Sequence, residues 1–583
     1  MAVGDTVTRV YSGFRGVDFR GDEINLIRSP DSLNMWKDYT ETDSIRTRPT
    51  LEKIEFYRRA HPDEFNNNDA IYGIHDMVKA DGRHVVYIHR GKKLYHTQLN
   101  ENGRFNEGGD NLAVTGWLDE PMAENRSESF ILDGQMYIKD GKNYYSFDND
   151  NKGSAYEYIP TTSIARKPSG GGKIHEDVNM LSNQRKNTFL ADGTSTEYFL
   201  DAQNLDEKGI TVYVDGKLQS EYTVDYANGK ITFKTPPPAP LTDGQDNVEI
   251  KFQKTIPGHQ EKILECTLLQ VFDNRVFFSG NPKYPNMIWH CSLDNPFYVS
   301  DLDYYEEGFD TSAVRGMVAG NNALWVIKEP SPANTSLFYH TPTIDSEYGK
   351  IYPSTHSNVS TGCVGRAINF NDDIVFFSER GMEGISGDVT TEQVIAHRST
   401  MVDRKLLAEP NYKNMILQEW EGYLLVIIDN KVYLADSRAV FTNENHYEYE
   451  WFYWELEKKI TCTKVINGVL YLGTEGGLYS LTDYGDVESY WVTPLDKFKH
   501  PQYMKTTNKR GCVTEAKGDI SLYVKTNKTD FELIVEHKNV KDCFISRIKR
   551  KKFKDIQLKF YSNTRFSLEA STLECFIGGY LKR

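Results

Sequence analysis

The chain has 583 residues, 39% apolar and 26% charged, which excludes a disordered polypeptide and exceeds what one ordinary core organises. A formal net charge of −15 excludes a surface built throughout to grip nucleic acid and leaves room only for a local basic stripe. Seven cysteines (Cys266, Cys291, Cys363, Cys462, Cys512, Cys543, Cys575) are dispersed without CxxC spacing, so reduced core thiols are expected rather than a disulfide framework.

Residues 1–55 carry little periodicity and much polar punctuation, and an N-terminal arm lying across a neighbouring surface is expected. The start lacks a basic-then-apolar leader, and no apolar run approaches a membrane-crossing length. A soluble protein made in the cytoplasm, with no membrane partner, is expected. From 56 to 159 a short pattern appears: an apolar strand, a tight turn, then a strand ending in paired aromatics or Leu-Tyr. It reads 84–88, Gly91, Leu94-Tyr95, and again 135–138, Asp140-Gly141, Tyr144-Tyr145. Alternation with a period of two around a turn-forming pair predicts a hairpin, and no hairpin buries its apolar face alone.

The segment 160–256 differs in texture. Pro168-Ser169-Gly170-Gly171-Gly172 reads as a flexible joint, and Asp215-Gly216 and Asn228-Gly229 turns between alternating strands predict an inserted β-sandwich. Hairpins resume over 257–488, at 275–280, 324–328 with 337–339, 374–378, 424–434 and 469–481, with one helix expected around 402–408. From 489 to 583 a second β-sandwich is predicted. The fold class is therefore all-β: a propeller of about seven irregular blades with an inserted and a C-terminal β-sandwich.

No convergent chemistry accompanies this scaffold, and no catalytic residue, cofactor or metal is expected. Residues 148–153 begin like a calcium loop, but Ile159 stands where the closing bidentate carboxylate belongs, so a polar turn is expected. Glycan hydrolysis needs two facing carboxylates, and among 83 Asp and Glu no pair stands out. There is no Gly-x-Ser-x-Gly elbow, and Gly170-Gly171-Gly172-Lys173 lacks the Ser or Thr of a phosphate loop. The strongest charge feature is the run Arg547, Lys549, Arg550, Lys551, Lys552, Lys554. In a strand Arg547, Lys549 and Lys551 share one face, which suits a subunit interface, plain surface or contact with DNA phosphates.

Ser29-Pro30-Asp31-Ser32-Leu33-Asn34-Met35 followed by Arg46-Thr47-Arg48-Pro49 resembles the opening of tailed-bacteriophage neck and tail proteins of the stabilisation or tail-nozzle type, with Thr50 where Gly is common. Gly280-Asn281-Pro282 with 292–296 resembles a second block, and Pro160-Thr161-Thr162 with Gly170-Gly171-Gly172 and Asn179 a third. The blocks cover about a third of the chain in shared order. The resemblance implies a structural, non-enzymatic virion protein: a homo-oligomeric ring, expected as a hexamer, in the head–tail connector or tail nozzle. Its partners are itself, other neck and tail proteins, and genomic DNA in passage. A closed ring needs a heterologous interface; Ser29, Pro30, Asn34, Arg46, Arg48 and Pro49, with the C-terminal domain, are expected to supply it. The alternative is a receptor- or glycan-binding tail protein, with or without depolymerase activity.

Overall fold

In the computed structural model the Tyr-ended hairpins are the middle of four-stranded antiparallel sheets. His84–Arg90 pairs with Lys93–Gln98, placing Ile88 opposite Tyr95, and Gln135–Lys139 pairs with Tyr144–Phe147, placing Ile138 opposite Tyr145. The structure describes the chain apart from residues 1–3, 22–24, 40–43, 57–65, 101–102, 106–112, 115–121, 148–152, 155–157, 332–334, 347–348, 388, 444–445, 484, 549–551 and 581–583. The sequence 148–153 that begins like a calcium loop thus lies almost wholly outside the described residues.

The described residues form seven blades. In chain order, their innermost strands are Ile71–Val78, Glu128–Leu132, Leu268–Phe272, Val314–Gly320, Ala367–Phe370, Ile416–Trp420 and Ile460–Ile466. Blades 2 to 7 share a local device. The first hairpin of each turns on two residues that both have positive φ: Asp133-Gly134, Asp273-Asn274, Asn321-Asn322, Asn371-Asp372, Glu421-Gly422 and Asn467-Gly468. Such two-residue turns match the right-handed twist of the flanking strands, and Asn, Asp and Gly tolerate the left-handed backbone best. Glu421 is the exception in residue type.

Neighbouring inner strands touch around most of the ring, and the last meets the first. The apolar faces are buried between consecutive blades. Met77, Val85, Tyr87 and Leu94 of blade 1 pack on Met136, Ile138, Tyr145 and Phe147 of blade 2, and Phe277 and Ile288 of blade 3 on Leu324, Val326 and Phe338 of blade 4. Each blade is thus covered on both faces only when the circle is complete. Its closure is non-local: Thr50–Ile54 is the outer strand of blade 7, antiparallel to Gly477–Thr482.

The segment 161–253 forms a six-stranded and a three-stranded sheet around Phe189, Tyr198, Val212, Ile231, Val248, Ile250 and Phe252. Pro168 and the three glycines are not a joint, as the composition suggested. Thr161–Arg166 pairs antiparallel with Lys173–Ile174, and Gly170, Gly171 and Gly172, all at positive φ, turn the chain inside the insert. A Cβ on Gly172 would lie 2.7 Å from the Ile164 carbonyl oxygen, so the close approach itself requires glycine there.

Residues 489–580 are organised on one 24-residue strand, Tyr503–Thr526, bordered by Phe566–Tyr580 and Ile556–Ser562. Residues 1–55 are not a separate arm. Thr6–Ser12 adds to Phe566–Tyr580, Met35–Lys37 and Ile45–Thr47 bridge blade 6 to the same sheet, and Ser32–Leu33 pairs with Ser489–Val492. One 15-stranded sheet therefore runs from blade 6 through the N-terminal segment into the C-terminal domain. The expected helix shrinks to Asp403–Leu406, and a second short helix, His259–Leu264, follows the insert.

Candidate functional site

The six N-terminal residues expected at a subunit interface have their partners inside this chain. Asn34 is the hub. It sits at φ 56, its amide nitrogen donates to the Glu488 carbonyl (2.9 Å), and its amide oxygen accepts from Arg48 Nε (2.8 Å) and the Glu455 N–H (2.8 Å). Arg48 is fully buried and also donates to the carbonyls of Pro49 (2.8 Å) and Glu455 (2.7 Å) and to Glu457 Oε1 (2.7 Å). Burial lowers its pKa, the Glu457 carboxylate opposes that shift, and the bonds explain how a guanidinium is tolerated there.

The Ser29 hydroxyl donates to the Val492 carbonyl at 2.7 Å. Arg46 Nη2 spans Asp38 (3.1 Å) and Asp483 (2.9 Å), and Arg565 meets the same Asp483 at 2.7 Å. Pro30 is half-buried and Pro49 buried. These side chains fasten the N-terminal segment to blade 6 and the C-terminal domain.

The other two blocks behave alike. Asn281 donates to the carbonyls of Glu261 (3.1 Å) and Lys262 (2.9 Å). Asn179 is buried, donates to the Phe297 (2.8 Å) and Tyr158 (3.0 Å) carbonyls and accepts from the Val299 N–H (3.2 Å), pinning the insert to blade 3.

The basic run is not one strand. Cys543–Ser546 ends before Arg547, and Lys552–Phe553 forms a separate short strand. Arg547 and Lys552 are exposed, Lys554 is half-buried, and Lys549, Arg550 and Lys551 lie outside the described residues.

Several titratable groups are buried. His340 Nε2 lies 2.9 Å from Glu307 Oε1, and the Ser354 hydroxyl donates to Glu307 Oε2 (2.6 Å). The hydroxyl meets the carboxylate instead of the imidazole, so the three are not in the order of a Ser–His–carboxylate triad. His397 Nε2 lies 2.6 Å from Asp403 Oδ2 and its Nδ1 3.2 Å from Glu383 Oε2. Burial disfavours its proton, but the two carboxylates outweigh burial and push its pKa up to about 10. Burial raises the Asp303 carboxyl to about 6, with Arg275 opposing and Asp177 and Asp301 adding to the rise. Among the described residues no group of three or more His, Cys, Asp or Glu is placed to hold a metal ion. No helix among them is long and apolar enough to cross a membrane.

Sequence reasoning missed the propeller axis. The inner strands of blades 2 to 7 begin around a cavity of about 540 Å³, lined by Arg126, Leu268, Arg315, Arg366, Ile416 and Thr461 among others. Three arginines there come from positions 126, 315 and 366. Their shared sequence signal is an arginine at or just before the first residues of a blade's inner strand.

No family model matches the chain and no curated protein matches it. Among solved structures it is similar to BamB from Moraxella catarrhalis, at 9% identity over 82% of this chain and 99% of that one, with a TM-score of 0.31. An exo-beta-1,3-galactanase from Phanerochaete chrysosporium matches at 10% identity over 52% of this chain and 94% of that one (TM-score 0.21). A glycoside hydrolase matches at 9% identity over 87% and 100% (TM-score 0.20). The fold class rests on the strand topology of this chain.

Proposed function

We propose that this chain is a structural virion protein of a tailed bacteriophage, one subunit of a ring in the head–tail connector or tail nozzle that continues the DNA channel. The observation that carries the reading is the use made of the three blocks on which the phage resemblance rests. Asn34, Asn179 and Asn281 each hold separate parts of the chain together by main-chain hydrogen bonds, so the resembling residues specify architecture. A continuous hydrogen-bonded sheet across blade 6, the N-terminal segment and the C-terminal domain suits a part that transmits load between neighbours.

With the N-terminal block turned inward, the ring contact falls to the C-terminal domain. Across its four-stranded face, register puts Val10 beside Thr572, Thr572 beside Val513, and Val513 beside Ile545. The next outward row carries Ser12, Ala570, Glu515 and Cys543. Val10 is 49% and Ile545 55% exposed, a mainly apolar row flanked by the charged Glu515, Glu574 and Arg547.

Negative-stain images of the purified protein test the proposal. Rings with a lumen wide enough for duplex DNA are expected, and Ile545→Asp should leave monomers with unchanged thermal stability. Monomeric wild-type protein, together with antibody labelling at tail tips away from the neck, would overturn it. A second reading, a glycan-degrading tail protein, draws on Asp303, whose raised pKa suits a general acid. Release of reducing ends from host polysaccharide, abolished by Asp303→Asn, would establish that reading instead.

A further inference from the structure

The start of each inner strand faces the propeller axis, and the strands crowd there. A Cβ on Gly316 would lie 2.6 Å from the Ala367 Cβ, and one on Gly365 2.8 Å from Met415 Cε. Side chains at this level therefore project into the axial space. Arg126, Arg315 and Arg366, from blades 2, 4 and 5, line both the 540 Å³ cavity and a second space of about 190 Å³ lined also by Met317, Ile368 and Leu417. Lys413 and Lys459 bring the cationic side chains around the two spaces to five, against two carboxylates, Glu128 and Asp429.

Ion pairs engage three of the five cations, and the excess among the described residues rests on Arg366 and Lys413. Glu128 stands 3.4 Å from Arg126 Nε, and Asp429 is taken by Lys459 (3.3 Å) and Asn411 (2.6 Å). Arg315 reaches outward to Glu329 at 2.7 Å. The Arg366 guanidinium has no hydrogen-bond or ion-pair partner among the described residues, and it is half-buried. Burial and the neighbouring charge of Arg126 lower its pKa, and the Glu128 carboxylate only partly opposes them. In an overall acidic chain this is a local excess of positive charge in a concave space, a field that draws anions.

We propose that this mouth of the propeller axis is a binding site for a small, multiply charged oxyanion, bearing either several phosphoryl groups or clustered carboxylates, held by Arg126, Arg315 and Arg366. Guanidinium forks match the paired oxygens of both groups. The cavity volume lies in the range of small-molecule sites, larger than a single phosphate fills. The site is formed within one chain, so it stands or falls independently of ring assembly and of phage origin.

Isothermal titration of the purified full-length chain at low ionic strength, with sodium tripolyphosphate in one arm and citrate in the other, tests it. One saturable site per chain is expected in at least one arm, and the arm that binds names the chemistry. Arg366→Gln should weaken that binding at least tenfold, Arg366→Lys less. Arg547→Gln, a surface cation elsewhere, should leave it unchanged, and each variant should retain the wild-type near-ultraviolet circular dichroism spectrum. Absence of binding in both arms overturns the proposal. So does equal binding by wild type and a folded Arg366→Gln, or equal loss in Arg547→Gln.

Discussion

A single amide side chain, Asn34, carries an outsized share of the N-terminal architecture because its three side-chain hydrogen bonds are made at a left-handed backbone position. Asn34→Ala removes the acceptor from a buried guanidinium and puts at positive φ a residue that tolerates it less well than asparagine, and destabilisation of about 3–5 kcal/mol is expected by denaturant unfolding. Asn34→Gly keeps the loss of bonds and relieves the backbone, so it should cost about 1 kcal/mol less. At His397 the expected effect depends on pH. Its folded pKa of about 10 lies above the ordinary unfolded value of about 6.5, so the ion pairs with Asp403 and Glu383 stabilise fully below pH 6.5. That stabilisation drains away as pH rises toward 10. Wild type should unfold at higher denaturant than His397→Gln at pH 6, and the gap should close by pH 10; a constant gap would sink the assignment. Of these two positions only Asn34 was legible. Asn34 stood out in the block that carries the phage resemblance, but the residues it binds lie at 48, 455 and 488, and nothing local encodes that meeting.

The blades were legible because each is made by adjacent stretches of chain. Period-two alternation and a two-residue turn fix a hairpin without reference to anything distant, and 135–147 or 469–481 folds in the structure as the pattern indicates. The Gly170-Gly171-Gly172 run misled for the same reason: glycines permit a linker and a tight turn equally, and only the pairing of Thr161–Arg166 with Lys173–Ile174 decides. The insert's core draws solely on residues 189–252, with partly buried companions from the same segment. Residues 160–256 expressed alone are therefore expected to unfold cooperatively, with dispersed amide resonances by NMR. A spectrum of collapsed, undispersed peaks would show that the contacts of Asn179 and Met180 with blade 3 are required.

For the molecule as a whole, closure depends on a strand whose place in a blade no local pattern marks. Thr50–Ile54 lies more than 420 residues from its partner, and long-range antiparallel pairing leaves no local trace. The arginines of the axis were illegible on the same ground, since 126, 315 and 366 converge only once the circle exists. Removing residues 1–55 takes away the outer strand of blade 7 and the bridge between blade 6 and the C-terminal domain. Calorimetry of that truncated chain should show the main cooperative transition lost while the transition of the insert remains. A retained main transition would mean that three strands suffice for blade 7.

The same closure sets a clock on synthesis. A ribosome adding about 5–20 residues per second makes Thr50–Ile54 roughly 20–80 seconds before Gly477–Thr482 emerges to pair with it. Through that interval the early strand, like Thr6–Ser12 awaiting Phe566–Tyr580, presents unpaired backbone groups that invite pairing with other nascent chains. The insert, self-contained in its core, folds long before this. Thr50–Ile54 and Thr6–Ser12 are thus captured late, once at the seventh blade and once at the C-terminal sheet, and a chain released before those partners are made completes neither.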